Sequence, residues 1–431
     1  MRLTHFALLA CTALVLAGCN DTLETVERDV SHVKNKVDYP LSPSILAEID
    51  KRGMDRTSPI MIRIFKEEGA LEIWKARRDN RFEKIAGYEI CAWSGKLGPK
   101  VKEGDRQAPE GFYNLTPAHL NPNSKYYLAI NTGFPNRYDA ANGRNGTNLM
   151  IHGACSSSGC YSMTDAQILE IYGFARDAFK GGQKTVQLQA FPFRMTAENM
   201  ARHRQSEHLQ FWKMLKVGYD NFEVTKRAPE VNVCEKKYVF NQQTEGGSFN
   251  AAAQCPPMST PPALASALSS YEKTYDLAYA TAMKKYDGMA WYDPSEAERK
   301  ALVAEKRKGR EPAYAPTGSA LKAGKLMKET EYAALMEKKA QQVTSSSPAT
   351  TATASALRGP RPSAVQPAAP QSNPAPAAPT MVASATPAAA GQTGAAAQSV
   401  PVPAMNPLAY SAAPAPEAPE KKPFWKFWAK E

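Results

Sequence analysis

The composition of the chain changes abruptly after residue 340, and this change limits how much of the chain can fold around a core. From Gln341 to Pro416 the residues are mainly Ala, Pro, Ser, Thr and Gln, and the only charges are Arg358 and Arg361. A segment with so few large apolar side chains cannot offset the entropy of ordering its backbone. We therefore predict a disordered Pro/Ala-rich linker over residues 341–420.

The last residues, 421–431, differ from the linker. They include four aromatic residues interleaved with lysines, in the run Lys421-Lys422-Pro423-Phe424-Trp425-Lys426-Phe427-Trp428-Ala429-Lys430. This pattern suits a membrane surface or a groove on a partner protein. The alternative is a solvated tail whose aromatic side chains bind nothing. A linker that ends in four aromatic residues favours tethering.

The first residues of the chain predict export. An apolar run from Phe6 to Ala17 is too short to span a bilayer permanently and has the layout of a secretory signal. We therefore predict a signal peptide over residues 1–18. The run ends in Leu16-Ala17-Gly18-Cys19, which resembles a bacterial lipobox, whose cysteine is lipidated and becomes the mature N-terminus. The alternative is an ordinary signal peptide with a coincidental cysteine.

Lipidation of Cys19 would anchor the protein to a membrane rather than thread it through. Asn20, not an aspartate, follows the cysteine, which favours the outer over the inner membrane. We therefore predict a periplasmic, membrane-anchored lipoprotein. No other segment of the sequence is long and apolar enough to cross a membrane.

One short segment carries the pattern of a catalytic site. His152 and Cys160 stand eight residues apart, and mostly glycine and serine lie between them. A cysteine nucleophile needs a nearby base and backbone N–H groups that bind an oxyanion. Gly159 would let the backbone approach a substrate, and a helix starting just after Cys160 would favour its thiolate. The alternatives are a small buried side chain or half of a disulfide, and the spacing alone leaves them open.

The same segment resembles the active-site signature of the YkuD-type L,D-transpeptidases, in which His-Gly is followed by Ser-x-Gly-Cys. The closest likeness is to the YafK-like branch, where the two halves of the signature lie close together. The resemblance covers roughly residues 40 to 240 and includes residues 58–67, 90–100, 104–113, 121–124 and 190–196. One position departs from the pattern, because most YkuD domains have an arginine two residues after the nucleophile and this chain has Ser162.

The resemblance implies a role for each residue of the signature. Cys160 would be the nucleophile and His152 its base, with the backbone carbonyl of Gly153 orienting the imidazole. Backbone N–H groups around Gly159, Cys160 and Tyr161 would bind the oxyanion. Candidate substrate contacts, each of which could equally be a surface or fold residue, are Arg106, Asn121, Asn123, Tyr126 and Arg144.

The implied activity is cell-wall acyl transfer. The thiolate would attack a peptidoglycan stem peptide after the L-centre of diaminopimelate, and an amine would take the acyl group to form a cross-link or attach a protein. Two alternatives remain open: a cysteine amidase that hydrolyses such links, and a non-enzymatic lipoprotein that anchors the wall. We expect no cofactor and no metal, because the six histidines are scattered without paired ligand spacing.

The remaining cysteines predict disulfides, since export leads to an oxidising compartment. Of the seven cysteines, Cys11 leaves with the signal and two more have the roles given above. Cys91, Cys155, Cys234 and Cys255 then allow three pairings. The short loop between Cys234 and Cys255 favours that pair, but the sequence does not choose. A bridge from Cys155 to Cys160 would remove the thiolate, so we expect Cys155 to be structural.

The net charge of +11 does not indicate nucleic-acid binding. Basic residues are scattered among acidic ones, and an exported protein does not meet cytoplasmic nucleic acid. A solvated, soluble surface is the default explanation. Anionic partners would be phospholipid or lipopolysaccharide head groups and the carboxylates of stem peptides.

The patterns divide the folded part into three regions. Residues 19–57 should hold one amphipathic helix ended by Pro40, because apolar residues recur at spacings of three and four, at Leu23, Val26, Val30, Val33 and Val37. We expect this helix to pack on the catalytic domain rather than form a coiled coil.

Residues 58–240 form the predicted catalytic domain, a mixed α/β fold that the resemblance implies is a β-rich sandwich or barrel. Strands are predicted at 60–65, 71–74, 126–130, 149–151 and 186–191. Helices are predicted at 165–179 and 197–217.

Residues 241–340 form a predicted accessory region. It is highly charged and should be mostly helical, and it carries no evident chemistry. Its candidate packing residues are Tyr271, Tyr275, Leu277, Tyr279 and Met283.

Overall fold

The computed structural model describes residues 29–155, 159–307 and 324–345. The predicted signal peptide and Cys19 lie outside the described residues, as do most of the predicted linker and the aromatic tail. Within the described ranges, none of the helices is long and apolar enough to cross a membrane.

The described residues contain short strands, most of which lie in the first half of the chain. They are β1 (Ile60–Phe65), β2 (Ala70–Ala76), β3 (Phe82–Glu89), β4 (Ala92–Trp93), β5 (Gly111–Leu115), β6 (Leu120–Asn121), β7 (Ala129–Asn131), β8 (Met150–His152), β9 (Tyr161–Ser162), β10 (Val186–Phe191), β11 (Val231–Cys234), β12 (Lys237–Phe240), β13 (Gln243–Thr244), β14 (Met258–Ser259), β15 (Met289–Tyr292) and β16 (Lys325–Lys328).

The helices of the described residues range from 5 to 24 residues in length. They are α1 (Pro43–Lys51), α2 (Arg137–Ala141), α3 (Asp165–Lys180), α4 (Ala197–Arg202), α5 (Leu209–Thr225), α6 (Pro262–Lys285), α7 (Glu296–Arg307) and α8 (Glu329–Ser345), and one 3-10 turn covers Pro117–His119. Strands and helices together confirm the predicted mixed α/β class.

The first sheet is built around β1. Its strand order is β3-β2-β1-β10-β5, with β1 and β10 parallel and the other pairs antiparallel. All six residues of β1 and all six of β10 are buried. Such continuous burial is typical of central strands that are covered on both faces. The sequence predicted both strands with these bounds.

The second sheet carries the His–Cys segment. Its strand order is β4-β9-β8-β7-β6, and β8 and β9 are parallel. The register aligns five residues in one row across the sheet, namely Ala92, Ser162, His152, Ala129 and Asn121. Residues that pair directly across a sheet lie on the same face. The sheet therefore fixes which side chains accompany His152.

A buried ion pair connects β1 to the loop of residues 94–110. Lys66 directly follows β1 and is fully buried, and its Nζ atom lies 2.9 Å from Glu110 Oε1. The same Nζ donates to the backbone carbonyls of Lys96, Gly98 and Ala108 at 2.8–3.1 Å. Glu110 in turn accepts the N–H of Gly98 at 2.7 Å. Burial lowers the pKa of Lys66, and the charge of Glu110 opposes this shift.

The predicted helix is wrong where the structure describes it, at Val30, Val33 and Val37, and the first part of its apolar stripe, Leu23 and Val26, lies outside the described residues. Residues 29–42 form turns, because the side chains of Asp29 and Asn35 accept the N–H groups of residues two or three positions later. Such local bonds compete with helix formation. Val30 and Val33 nevertheless pack into the main core, and Val37 packs against it. The expected packing is therefore confirmed, whereas its helical form is not.

Two other predicted elements are shorter or broken. The strand predicted at 126–130 begins only at Ala129, since Tyr127 has a left-handed φ of 69° that an extended strand cannot contain. The helix predicted at 197–217 is interrupted at residues 203–208, between α4 and α5. The side chain of His203 is buried there and bonds to Glu67 at 2.9 Å. Strands β3 and β5 were not predicted.

The described residues of the accessory region are mostly helical, as predicted, but they also form the antiparallel pairs β13–β14 and β15–β16. Tyr275 and Tyr279 pack against the main core and Met283 against a smaller cluster. Leu277 is 74% exposed, so its predicted packing role is wrong. Helix α8 continues to Ser345, beyond the predicted start of the linker.

The four remaining cysteines form two disulfides. Cys234 is bonded to Cys255, the pair that the short loop favoured. Cys91 is bonded to Cys155, so the structural role expected for Cys155 is confirmed.

Removing one partner of the buried ion pair should destabilise the fold strongly. In Glu110→Ala, Lys66 would remain buried without a counter-ion, so we expect a loss of about 3–5 kcal/mol in the free energy of unfolding. Chemical denaturation measures this change. Lys180→Ala is the control, because its ion pair with Asp38 is exposed and screened by solvent and should contribute little to stability. Equal stability of the two variants would contradict the importance assigned to the buried pair.

Candidate active site

His152 is the third residue of β8, and its geometry suits a base. The side chain is buried, and Nδ1 lies 2.7 Å from the backbone carbonyl of Gly153. When Nδ1 carries the proton and donates it to this carbonyl, Nε2 keeps its lone pair. Burial lowers the pKa of His152, and the Gly153 carbonyl acts in the opposite direction. The imidazole is therefore neutral at pH 7 and able to accept a proton.

Cys160 directly precedes β9, in which Ser162 is the register partner of His152. The base and the thiol are therefore on adjacent parallel strands, two residues apart in register. The Sγ atom lies 3.6 Å from the carbonyl of Asn148. Burial raises the pKa of the Cys160 thiol, whereas a hydrogen bond from the Met150 backbone and the charge of Lys100 lower it. The resting thiol is therefore protonated and needs a base.

The expected support of the thiolate by a helix dipole is wrong. Helix α3 begins at Asp165, and its N-cap is Thr164, whose side chain accepts the N–H of Gln167. Strand β9 lies between Cys160 and this helix along the chain, so Cys160 is not at the helix N-terminus that the sequence suggested.

The three residues that follow His152, Gly153 to Cys155, are fixed at several points. Cys155 is bonded to Cys91, which directly precedes β4. The N–H of Ala154 donates to Asp165 Oδ1 at 2.8 Å. A Cβ atom on Gly153 would lie 2.5 Å from that same oxygen, so only glycine fits there. These contacts hold the carbonyl that orients His152.

The two predicted oxyanion positions have different surroundings. Tyr161 pairs with Trp93 on one side and Ile151 on the other, so its backbone belongs to the sheet. Gly159 precedes the nucleophile with φ of 120°, a conformation that favours glycine. Of the backbone positions predicted to bind the oxyanion, Gly159 and Cys160 therefore lie outside the strands of the sheet.

The structure brings two of the predicted substrate contacts to this pair. The ring of Tyr126 lies 4.6 Å from the ring of His152, and this side chain is 48% exposed. The backbone of Arg106 would lie 3.9 Å from a Cβ atom on Gly159.

The other three predicted contacts are elsewhere or committed to the fold. Asn121 shares the sheet row of His152, and its side chain accepts the N–H of Asn123 at 3.0 Å, so the two asparagines form a turn. Arg144 is paired with the buried Asp139 at 3.1 Å and packs over Tyr138. The guanidinium of Arg144 therefore stabilises the fold through its contacts with Asp139 and Tyr138.

Sequence reasoning missed a buried cation, Lys100, whose charge acts on Cys160. Lys100 is 2% exposed and pairs with Asp105 at 2.6 Å. Asp105 also accepts three backbone N–H groups of its own loop. Lys100 lies in a segment that carried the family resemblance, but no spacing rule indicated that the loop would turn towards Cys160. Among the described residues, no group of His, Cys, Asp and Glu is arranged to hold a metal.

The matches to known proteins agree with this site. The family model of the YkuD L,D-transpeptidase catalytic domain matches residues 68–186. The putative L,D-transpeptidase YafK of Escherichia coli K12 is 48% identical over 185 residues, which are 43% of this chain and 75% of that protein. The YafK of Escherichia coli O157:H7 matches equally. The chain belongs to the YkuD family of L,D-transpeptidases.

Similar solved structures are more distant. The helical cell shape determining protein Pgp2 of Campylobacter jejuni is 16% identical, with 58% of this chain and 80% of that chain covered and a TM-score of 0.27. A mutant of Pgp2 is 20% identical, with 42% and 65% covered and a TM-score of 0.26, so the match spans less than two thirds of that chain. Bd1075 of Bdellovibrio bacteriovorus is 15% identical, with 48% and 94% covered and a TM-score of 0.25. These likenesses add nothing to the family assignment.

Removing the charge of Lys100 should make the thiolate of Cys160 harder to form. In Lys100→Met we expect alkylation by iodoacetamide at about pH 7.5 to be slower than in the wild type, because loss of the charge raises the pKa of the Cys160 thiol and leaves less thiolate. Lys100→Arg should restore most of the rate because it keeps the charge. Lys102→Met, which removes an exposed cation from the same loop, is the control. An unchanged or faster rate in Lys100→Met would contradict the assigned role.

Proposed function

We propose that this protein is a cell-wall acyl-transfer enzyme in which Cys160 attacks a peptidoglycan stem peptide. Family membership supports a cell-wall transpeptidase role. The observation that carries the finer proposal is the pairing of a buried, neutral imidazole, fixed by the Gly153 carbonyl, with a protonated thiol on the adjacent strand. The substrate is a stem peptide that contains diaminopimelate, cleaved after the L-centre.

The first half of the reaction forms an acyl-enzyme. Nε2 of His152 takes the proton of the Cys160 thiol as sulfur attacks the carbonyl carbon. The carbonyl oxygen becomes an oxyanion, which accepts hydrogen bonds from the backbone at Gly159 and Cys160. When the tetrahedral intermediate collapses, the C–N bond breaks and the imidazolium gives its proton to the leaving amine. The product is a thioester on Cys160.

The second half releases the acyl group. An acceptor amine attacks the thioester while His152 takes its proton, and the sulfur leaves as a thiolate that is protonated again. This step forms a cross-link or attaches a protein through its amine. With water as acceptor the same site hydrolyses the link, which is the amidase alternative.

Export to the periplasm is part of the proposal. Two disulfides in the described residues fit an oxidising compartment, since they would be reduced in most cytosols. Anchoring through Cys19, on the outer membrane, and tethering by residues 421–431 belong to the same proposal and are supported by the sequence.

The nucleophile is tested with purified protein and isolated sacculi. Mass spectrometry of digested sacculi should reveal new 3-3 linked dimers with the wild type if the reaction is transfer, and released peptide or protein if it is hydrolysis. Cys160→Ala should produce neither, because no thioester can form. Lys102→Met changes an exposed residue outside the His152–Cys160 segment and should act like the wild type. Activity retained in Cys160→Ala would contradict the proposed mechanism.

The pH dependence should report the environment of His152. The value of kcat/KM falls as the pH drops through the pKa of the free base, since a protonated imidazole cannot accept the thiol proton. Because burial lowers that pKa, the acid limb should have its midpoint below the ordinary histidine value of about 6.5. Tyr126→Ala should expose the imidazole and move the midpoint upward. A wild-type midpoint above about 6.5 would be inconsistent with a buried base.

A further inference from the structure

The accessory region contacts the loop of residues 94–110. Asp293 directly follows β15, and its Oδ2 atom accepts the backbone N–H of Leu97 at 3.1 Å. Arg299, on α7, forms an ion pair with Asp293. The Arg299 side chain is 7% exposed, and its guanidinium lies 4.8 Å from the centre of the Trp93 ring.

Trp93 is connected to the proposed nucleophile through one pair of strand residues. It pairs with Tyr161, the residue after Cys160, across β4 and β9. The hydroxyl of Tyr161 donates to the carbonyl of Pro109 at 2.6 Å, so this residue also holds the far end of the loop. Arg299 therefore packs on the ring of Trp93, and the strand partner of Trp93 is Tyr161, the residue next to Cys160.

The middle of the same loop faces the site. Arg106 has its backbone against Gly159, and Lys100 is the cation that acts on Cys160. Lys66 holds the loop at the carbonyl of Lys96, and Asp293 holds it at the N–H of Leu97. Its backbone position thus depends on contacts from two parts of the chain.

The outer contact is local rather than part of a continuous packed surface. A cavity of about 710 Å³ lies beside it, and its lining includes Leu97, Trp212, Trp291, Asp293 and Glu298. Because of this cavity, few neighbouring side chains could accept the Leu97 N–H in place of Asp293. Such a contact can be altered without removing a large buried surface.

We propose that Asp293 and Arg299 are positioning residues for the reaction at Cys160, an inference that rests on the proposed function. They fix the loop through Leu97 and the sheet through Trp93, and so hold the backbone that lines the nucleophile. Both lie outside residues 68–186, which the family model matches. This chain thus adds a support to its site from a region in which the sequence indicated no chemistry.

The expected effect follows from the geometry that acyl transfer demands. A displacement of about 1 Å at reacting groups can cost about 100-fold in rate. Loss of one hydrogen bond to the loop should shift the backbone by less, so we expect kcat on sacculi to fall by roughly tenfold. The KM should change less, since neither side chain is proposed to touch the substrate.

The test compares Asp293→Ala with Asp293→Asn in the full chain. Alanine removes the acceptor for the Leu97 N–H, whereas asparagine keeps an oxygen there and should restore most of kcat. Hydrogen exchange of residues 94–110, followed by mass spectrometry, should be faster in Asp293→Ala than in the wild type. Lys285→Met is the control, because it breaks an exposed ion pair with Glu198 that also joins the accessory region to α4.

The outcomes separate this inference from the proposed function. Faster exchange in the loop, lower kcat and rescue by asparagine support the positioning role. Unchanged loop exchange in Asp293→Ala, or equal losses of kcat in the alanine and asparagine variants, would overturn it. Wild-type protein without any action on sacculi would refute the proposed function, and loop exchange would still show whether Asp293 holds the loop.

Discussion

The ion pair between Lys66 and Glu110 determines the course of the loop that borders the nucleophile. A buried ammonium group must have its donors satisfied, because leaving them without acceptors in a low dielectric is costly. Here the acceptors are Glu110 and three loop carbonyls, so satisfying Lys66 requires one particular backbone path. Glu110 also accepts from Trp212 at 2.9 Å, which ties α5 to the same point. The positions of Lys100 and Arg106 follow from this arrangement.

The site combines a rigid backbone with a neutral resting pair. The disulfide at Cys155 and the carboxylate of Asp165, which accepts the N–H of Ala154, fix the backbone directly after His152 and Gly153. Burial shifts the pKa of the imidazole downward and that of the thiol upward, so neither group is charged before substrate arrives. A protonated thiol is less open to oxidation than a thiolate, which suits an enzyme exposed to an oxidising compartment. Proton transfer is then coupled to attack on the substrate.

The sequence predicted best where one local pattern decides the structure. Strand β1 is apolar except for Arg63, β10 alternates apolar residues with Gln187 and Gln189, and α3 has a capping box at Thr164, so all three were predicted almost to the residue. The stripe through Val30 and Val33 had helical spacing but forms turns, because nearby Asp and Asn side chains compete for the backbone. The Cys91 to Cys155 pairing, the approach of Lys100 and the contact of Asp293 with Leu97 depend on tertiary structure. Spacing along the chain carries no signal for such contacts.

The central claim is that acyl transfer proceeds through a thioester on Cys160. The most direct measurement is intact-protein mass spectrometry of the enzyme mixed briefly with a diaminopimelate-containing stem tetrapeptide and quenched in acid. We expect a mass increase equal to the acyl fragment, located on the peptide that contains Cys160 and removed by hydroxylamine. An adduct on another residue, or turnover of the peptide by Cys160→Ala at the wild-type rate, would contradict the account.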